Sequence, residues 1–152
     1  MSVKIEKITQ LGIVVRNIYE KVKTYETLYN IGPWEIMDGN KGFAEEAQDL
    51  TVHGKRQDFK VSLAKASVGG LELELIQPLD AYSVYAEFLR EHGEGIQHIS
   101  VITDAKAFKQ EMQARNVESI MSGYVPGVEK FEYFDTVDDI GVAIETHDTD
   151  VD

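Results

Sequence analysis

One strand pattern occurs twice in this sequence, and the repeat constrains the fold more than any other feature. A glutamate follows a glycine by four residues in both Gly-Leu-Glu-Leu-Glu (70–74) and Gly-Val-Ala-Ile-Glu (141–145). Gln10 and His98 also correspond, because each interrupts an apolar β-type run that precedes a helical pattern. Polar positions that recur on equivalent strands indicate a duplicated module whose four residues, Gln10, Glu74, His98 and Glu145, share one site.

Each half of the chain predicts the element order β-α-β-β-β from its hydrophobic periodicity and turn residues. The predicted modules cover about 5–79 and 95–147, and an amphipathic helix over about 81–92 links them. Asn17 and Asp104 are the expected N-caps of the two module helices. The predicted strands are 5–15, 34–37, 59–66, 71–77, 96–103, 117–124, 130–136 and 140–146, and the module helices are 18–30 and 105–115.

Two segments are predicted to lie outside this regular pattern. Residues 38–57 carry little periodicity and predict a long loop, with a helical turn around 43–49. Residues 146–152 are acidic and predict a frayed tail. The remaining elements alternate strands with helices, so the fold class is α+β in one domain spanning 1–152.

Charge and composition exclude several classes of partner. The 152 residues carry a net charge of −12, which disfavours binding to nucleic acid. The sequence has no cysteine and no apolar run long enough for a membrane span, so we expect no membrane partner and a cytoplasmic location. The basic stretch His53-Gly54-Lys55-Arg56, with Lys60 and Lys65, is either a solvated loop and strand edge or a seat for an anion.

The four repeated polar residues leave two interpretations open. A single histidine in a strand is commonly a structural residue, and a single strand glutamate commonly faces solvent. Taken together, the four side chains supply one imidazole, two carboxylates and one amide oxygen. Such a set suits a divalent ion, either Zn, Co, Ni, Mn or Fe(II), with open positions for an oxygen-chelating substrate.

The chain resembles the vicinal oxygen chelate superfamily, which includes glyoxalase I, methylmalonyl-CoA epimerase, extradiol dioxygenases and bleomycin-resistance proteins. The resemblance runs from ITQLGIVV (8–15) to GVAIE (141–145) and includes IGPWEI (31–36). The segments ELELIQPL (72–79) and YAEFLREHGEGIQHISV (85–101) look most like the epimerase branch. The resemblance implies two βαβββ modules that form a curved mixed sheet around a central metal cavity, and a homodimer.

The resemblance also assigns roles to residues, with two departures from the family pattern. The metal ligands map to Gln10, Glu74, His98 and Glu145, where Gln10 replaces the usual histidine. Lys60 stands where the epimerases carry a glutamate that acts as a base, so it is expected to hold a substrate carboxylate or to act as the base itself. Glu145 or Glu74 is the other candidate base, and Glu72, Tyr133 and Glu45 are lesser ones.

The implied reaction is proton abstraction next to a carbonyl of a small oxygen-chelating substrate, with an acyl-CoA as one candidate. An epimerase-like isomerase and a lactoylglutathione lyase-like enzyme both fit this description. A non-catalytic binding or resistance protein on the same fold is the alternative. An Fe(II) dioxygenase fits less well, because Gln10 removes one of the two histidines such sites use.

Overall fold

The predicted α+β class is confirmed in a computed structural model, which describes residues 3–42 and 46–151. Within those residues the chain forms ten strands and four helices. The strands are β1 (Lys7–Val14), β2 (Glu35–Met37), β3 (Gln48–Val52), β4 (Lys55–Arg56), β5 (Val61–Val68), β6 (Leu71–Pro78), β7 (Gly95–Ile102), β8 (Ser119–Val125), β9 (Glu129–Phe134) and β10 (Ala143–Asp148). The helices are α1 (Ile18–Tyr29), α2 (Val84–His92), α3 (Ala105–Ala114) and α4 (Val137–Ile140). No helix in this part of the chain is long and apolar enough to cross a membrane.

The chain divides into two compact units, which are named here by their most informative residue. The Gln10 unit contains residues 10–42 and 59–97 of the described chain. The His98 unit contains residues 3–9, 46–58 and 98–151. The βαβββ order is confirmed in both, as β1-α1-β2-β5-β6 and as β7-α3-β8-β9-β10.

The Gln10 unit has the strand order β2-β5-β6-β1. β1 runs parallel to β6, and the other neighbours are antiparallel, as the predicted mixed sheet requires. The side chain of Asn17 accepts a hydrogen bond from the Glu20 backbone and starts α1, as predicted. The core packs this helix on β5 and β6 through Val15, Ile18, Val22, Ala64 and Leu75.

The His98 unit repeats this arrangement with the strand order β8-β9-β10-β7 and extends it by two strands. β10 runs parallel to β7 and antiparallel to β9. Asp104 caps α3 through the Ala107 backbone, as predicted. The core contains Val101, Phe108, Met112, Phe134 and Ile144.

The two segments predicted to be irregular are the main errors of the sequence analysis. Residues 48–56 of the predicted loop form β3 and β4, and β3 pairs with β8 in the His98 unit. The predicted helical turn is wrong where it is described, since residues 48 and 49 are strand, and residues 43–45 lie outside the described chain. The predicted tail is also wrong at its start, because β10 continues to Asp148 and buries Thr146. The strand predicted from residue 140 begins at Ala143, after α4 and Gly141.

Candidate functional site

His98 and Glu145 are brought together on neighbouring strands of the His98 unit. In the parallel pairing of β7 with β10, Ala143 lies beside His98 and Glu145 beside Ser100. Residues two apart on a strand point to the same face, so all four share one face. The register of β9 places Tyr133 directly across from Glu145.

The side chains on this face form a buried cluster. The His98 Nε2 atom lies 3.5 Å from Glu145 Oε1 and 3.4 Å from the Tyr133 hydroxyl. The His98 and Tyr133 rings meet edge to face with centroids 4.7 Å apart. His98 is 0% exposed, and Glu145 and Tyr133 are buried as well. An imidazole nitrogen and a carboxylate oxygen therefore face each other away from bulk water.

Glu145 has two further partners. The Ser100 hydroxyl donates a short hydrogen bond to Glu145 Oε1. His147 lies two residues along β10, with its Nε2 atom 3.5 Å from the same oxygen. The Nδ1 atom of His147 lies 2.5 Å from Glu129 Oε2, so this imidazole sits between two carboxylates.

The two histidines of this cluster differ in charge at neutral pH: His98 is neutral and His147 is protonated. Burial lowers the pKa of His98 to about 4, because the nearby Glu145 carboxylate offsets only part of the desolvation, so the ring is neutral. Burial acts in the same direction on His147, but its hydrogen bonds to Glu129 and Glu145 raise its pKa to about 10. Burial would raise the pKa of Glu145, yet the hydrogen bond with His147 and the charges nearby hold it below its ordinary value.

The Gln10 unit arranges different residues at the equivalent positions. In the parallel pairing of β1 with β6, Gln10 lies beside Glu72 and Gly12 beside Glu74. The Gln10 Nε2 amide donates a 2.6 Å hydrogen bond to Glu72 Oε1. Glu74 is buried, whereas the side chain of Glu72 is 39% exposed.

Lys65 lies across from Glu74 in the antiparallel register of β5 and β6. Its Nζ atom is 3.7 Å from Glu74 Oε2 and 4.0 Å from Glu72 Oε1. On its other side, Lys65 is in register with Glu35 of β2. The same lysine lines an open pocket of about 430 Å³ together with Trp34, Glu35, Ser67 and Glu72.

The remaining candidates occupy less central positions. Lys60 precedes β5 and is exposed, and its backbone N–H binds Asp80 Oδ2 at 2.8 Å. It is therefore Lys65, five residues later, that contacts the carboxylates of β6. Glu45 lies outside the described residues.

Ser100 and His147 were not predicted as site residues, and Lys65 was named only as part of the basic stretch that is one candidate seat for an anion. His147 fell in the segment assigned to a frayed tail, although Glu145-Thr-His147 continues the alternation of a strand. Ser100 follows His98 by two residues, and that spacing already places both on one face. Predicting the contact of Lys65 with Glu74 would have required the hairpin register of β5 with β6, which the composition of the turn did not define.

A divalent metal, which the resemblance implies, fits the donor atoms present. His98 offers an unprotonated imidazole nitrogen beside the ionised Glu145 carboxylate, and both types of group are common ligands of divalent transition metals. Gln10 and Glu74 add an amide and a second carboxylate in their own unit. Within residues 3–42 and 46–151, however, no three histidine, aspartate or glutamate side chains are already gathered in a metal-binding arrangement.

Comparisons with solved structures confirm the fold. A hypothetical protein from Bacillus halodurans C-125 superposes with a TM-score of 0.63 at 22% identity, covering 93% of this chain and 92% of the other. Methylmalonyl-CoA epimerase from Mycobacterium tuberculosis gives a TM-score of 0.58 at 19% identity, covering 94% and 87%. A variant of the Streptomyces coelicolor methylmalonyl-CoA epimerase, in complex with 2-nitronate-propionyl-CoA, gives 0.60 at 19%, covering 95% and 94%. These identities are low, so they establish the fold and leave activity open.

Family models give a direct assignment. No curated protein matches the chain significantly. The model of the glyoxalase/bleomycin resistance protein/dioxygenase superfamily matches residues 9–134, which run from within β1 to the end of β9 and leave out β10 as the only whole element of the two βαβββ modules. The chain belongs to this superfamily, as its resemblance to the vicinal oxygen chelate proteins predicted.

Proposed function

We propose that this protein is a metal-dependent isomerase or lyase that enolises a small oxygen-chelating substrate. The observation that carries the proposal is the buried pair His98–Glu145, whose Nε2 and Oε1 atoms lie 3.5 Å apart. A neutral imidazole and an ionised carboxylate at this separation are suited to bind one cation between them. Gln10 and Glu74 are the proposed remaining ligands, as predicted from the sequence.

The protein's own residues would have separate roles around such an ion: some position a ligand, and another accepts the proton. When bound, the ion supplies Lewis acidity, which makes a C–H bond beside a substrate carbonyl more acidic. Ser100 and His147 hold the Glu145 carboxylate in place. Because these partners lower its proton affinity, Glu145 is better suited to be a ligand than a base. We therefore favour Glu74 as the proton acceptor, and Lys60 as the alternative.

Acyl-CoA thioesters are the first substrates to test. The Streptomyces coelicolor epimerase variant with this fold is complexed with 2-nitronate-propionyl-CoA. A thioester next to a second carbonyl offers two oxygens for chelation and an acidic C–H bond between them. A glyoxalase-like substrate meets the same chemical requirements, so it is the second class to test.

A non-catalytic binding protein is the competing function, and Lys65 is the observation that favours it. Its ammonium group lies 3.7 Å from Glu74, so one proposed ligand already has a protein cation beside it. A carboxylate neutralised in this way needs no metal to be stable. Metal content therefore separates the two functions.

Elemental analysis of the purified protein tests the metal site. We expect one divalent ion per chain in the natural protein, and loss of that ion in His98→Ala and Glu145→Gln. His53→Ala is the matched control, because His53 is exposed and its Nδ1 atom contacts the Glu118 carboxylate at the surface of the same unit. Equal metal content in all four proteins would refute the proposed ligands.

Deuterium exchange tests the reaction. The metal-loaded protein is incubated with methylmalonyl-CoA in D₂O, and loss of the α-proton signal is followed by NMR. Exchange that disappears in Glu74→Gln while this variant keeps its metal, and persists in Lys60→Met, identifies Glu74 as the acceptor, and the reverse result identifies Lys60. No exchange with this thioester removes it as the substrate.

Two further predictions concern the protein in solution. We propose a homodimer, with α2 as one contact, and a cytoplasmic location. Sedimentation equilibrium distinguishes a mass of 17.1 kDa from twice that value. Cell fractionation tests the location.

A further inference from the structure

We infer that Lys65 is a built-in counter-ion that competes with a divalent cation for the Glu74 carboxylate. The inference rests on the proposed function, because it concerns Glu74 as a metal ligand. It adds a device that sets how tightly the site holds its metal. None of the roles assigned above to the four candidate ligands requires this lysine.

The position of Lys65 is set by the backbone register. It lies opposite Glu74 on β6 and opposite Glu35 on β2, so a carboxylate faces it from both neighbouring strands. Glu72 is two residues from Glu74 on the same face and approaches Nζ to 4.0 Å. Three acidic residues thus surround one ammonium group: Glu72 and Glu74 lie within 4.0 Å of Nζ, and Glu35 on β2 is in register with Lys65.

The strength of these contacts is modest. The distances of 3.7 and 4.0 Å are longer than those of a close ion pair, and the Lys65 side chain is 36% exposed. Partly solvated ion pairs contribute little to folding stability. A dication can displace the ammonium group from this carboxylate, since the dication offers Glu74 twice the charge at a shorter distance.

The open pocket beside Lys65 can accommodate its side chain when a cation displaces it from Glu74. The Lys65 side chain lines this pocket of about 430 Å³, where Glu35 and Glu72 are also exposed to solvent. Moving from Glu74 toward these carboxylates keeps the ammonium group paired. Binding of a cation at Glu74 is therefore coupled to a shift of Lys65 toward the pocket.

Two measurements test this coupling, with Mn²⁺ as the probe and chelator-treated protein as the starting material. Isothermal titration gives the Kd for Mn²⁺ of the natural protein, Lys65→Met, Lys65→Gln and Lys65→Arg. We expect the two neutral variants to bind about tenfold more tightly, because a cation beside the ligand has been removed. Lys65→Arg keeps the charge and is expected to bind as the natural protein does.

Lys23→Met is the matched control, since it removes the same charge from an exposed position on α1 in the same unit. Its Kd is expected to change less than twofold. A Kd that is unchanged or weaker in both neutral Lys65 variants, while His98→Ala abolishes binding, overturns the inference and leaves the proposed function standing. Absence of Mn²⁺ binding in every protein overturns both.

The second measurement needs no variant, so it does not depend on how a substitution affects folding. Brief acetylation of the natural protein with a limiting reagent, followed by peptide mass spectrometry, reports how accessible each lysine amine is. We expect saturating Mn²⁺ to increase the labelling of Lys65 at least twofold and to leave Lys23 unchanged. Equal labelling of Lys65 with and without bound Mn²⁺ overturns the inference.

Discussion

The two units have the same strand register but different side chains. The same backbone arrangement therefore surrounds two equivalent carboxylates, Glu145 and Glu74, with different partners. In the His98 unit, the buried Glu145 accepts a hydrogen bond from the Ser100 hydroxyl and lies beside the charged imidazole of His147. In the Gln10 unit, Glu74 faces a partly exposed lysine. The corresponding positions, read from the two registers, are His98 and Gln10, Ser100 and Gly12, Ala143 and Glu72, Glu145 and Glu74, Tyr133 and Lys65, and His147 and Ile76.

The difference has an energetic consequence. A buried charged network depends on every partner, because an unpaired buried charge is costly. In the Gln10 unit the cationic partner is partly exposed, so water can replace part of what its loss removes, although Glu74 itself is buried. Equivalent substitutions in the two units should therefore have unequal effects, and that asymmetry can be tested.

The largest expected contrast is between His98→Ala and Gln10→Ala in metal affinity. Removing the imidazole should weaken Mn²⁺ binding by about a hundredfold or more, because it takes away a strong nitrogen ligand. Removing the amide should weaken binding by about tenfold, since a water molecule can take the place of a neutral oxygen ligand. Isothermal titration measures both, and equal losses would show that the two units contribute alike.

The pH dependence of stability should come mainly from the His98 unit. The pKa of buried His98 is about 4, whereas that of an exposed histidine is 6.5. As the pH falls below 6.5, His98 is therefore protonated in the unfolded chain before it is protonated in the folded protein. The free energy of unfolding should then decrease between about pH 6.5 and 4, by at most roughly 3.5 kcal/mol at about 1.4 kcal/mol per pH unit. His147 acts in the opposite sense, since its pKa of about 10 gives stability that is lost as the pH rises from 6.5 toward 10.

Urea unfolding in the presence of a chelator measures both limbs of this profile. His98→Gln should flatten the acidic limb, and His147→Gln should flatten the alkaline limb. Gln10→Ala should change neither, because its unit has no histidine at the equivalent positions. An unchanged profile in both histidine variants would contradict the assigned charge states.

A smaller effect is expected from Ser100→Ala. The substitution removes a buried hydrogen bond to an ionised carboxylate, which is worth about 1.5–3 kcal/mol. Gly12→Ala, at the equivalent position of the other unit, breaks no hydrogen bond made by a side chain. Chemical denaturation of both variants checks the difference, and an undiminished stability of Ser100→Ala would argue against the buried network.

The smallest effect is expected from Tyr133→Phe. The hydroxyl is 3.4 Å from His98 Nε2, so the hydrogen bond is long, while the edge-to-face ring contact is retained by phenylalanine. We expect a loss of at most about 1 kcal/mol in stability. Lys65→Met, at the corresponding position, should lose more, because it removes a cation from beside the buried Glu74 carboxylate. An equal or smaller loss than in Tyr133→Phe would show that this carboxylate does not depend on the ion pair.

The parts of the fold that could be predicted from sequence are those with a local physical cause. Asn17 and Asp104 precede helical patterns, and each caps its helix through a side-chain oxygen. The alternation of leucine and glutamate over residues 71–75 is likewise a local pattern, and it places Glu72 and Glu74 on one face of β6. Local patterns of this kind do not require knowledge of partners distant in sequence.

The parts that were missed depend on pairing over long sequence distances. β3 has mixed polarity, and it becomes a strand because β8, about seventy residues later, supplies hydrogen-bond partners. His147 belongs to a strand for the same reason, through its pairing with Phe131. Lys60 was assigned a role from the family resemblance, whereas the contact of Lys65 with Glu74 follows from the register of β5 with β6.

The β3–β4 segment has a consequence for dividing this protein into its halves. A fragment beginning at β7 would contain one complete βαβββ module and yet lack the strand that covers β8. The backbone N–H and C=O groups of β8 would then form an open edge, which invites pairing between molecules. Such a fragment should aggregate, since it also lacks residues 3–9 of the same unit, so the boundary seen in the sequence repeat is unsuitable as a place to cut the gene.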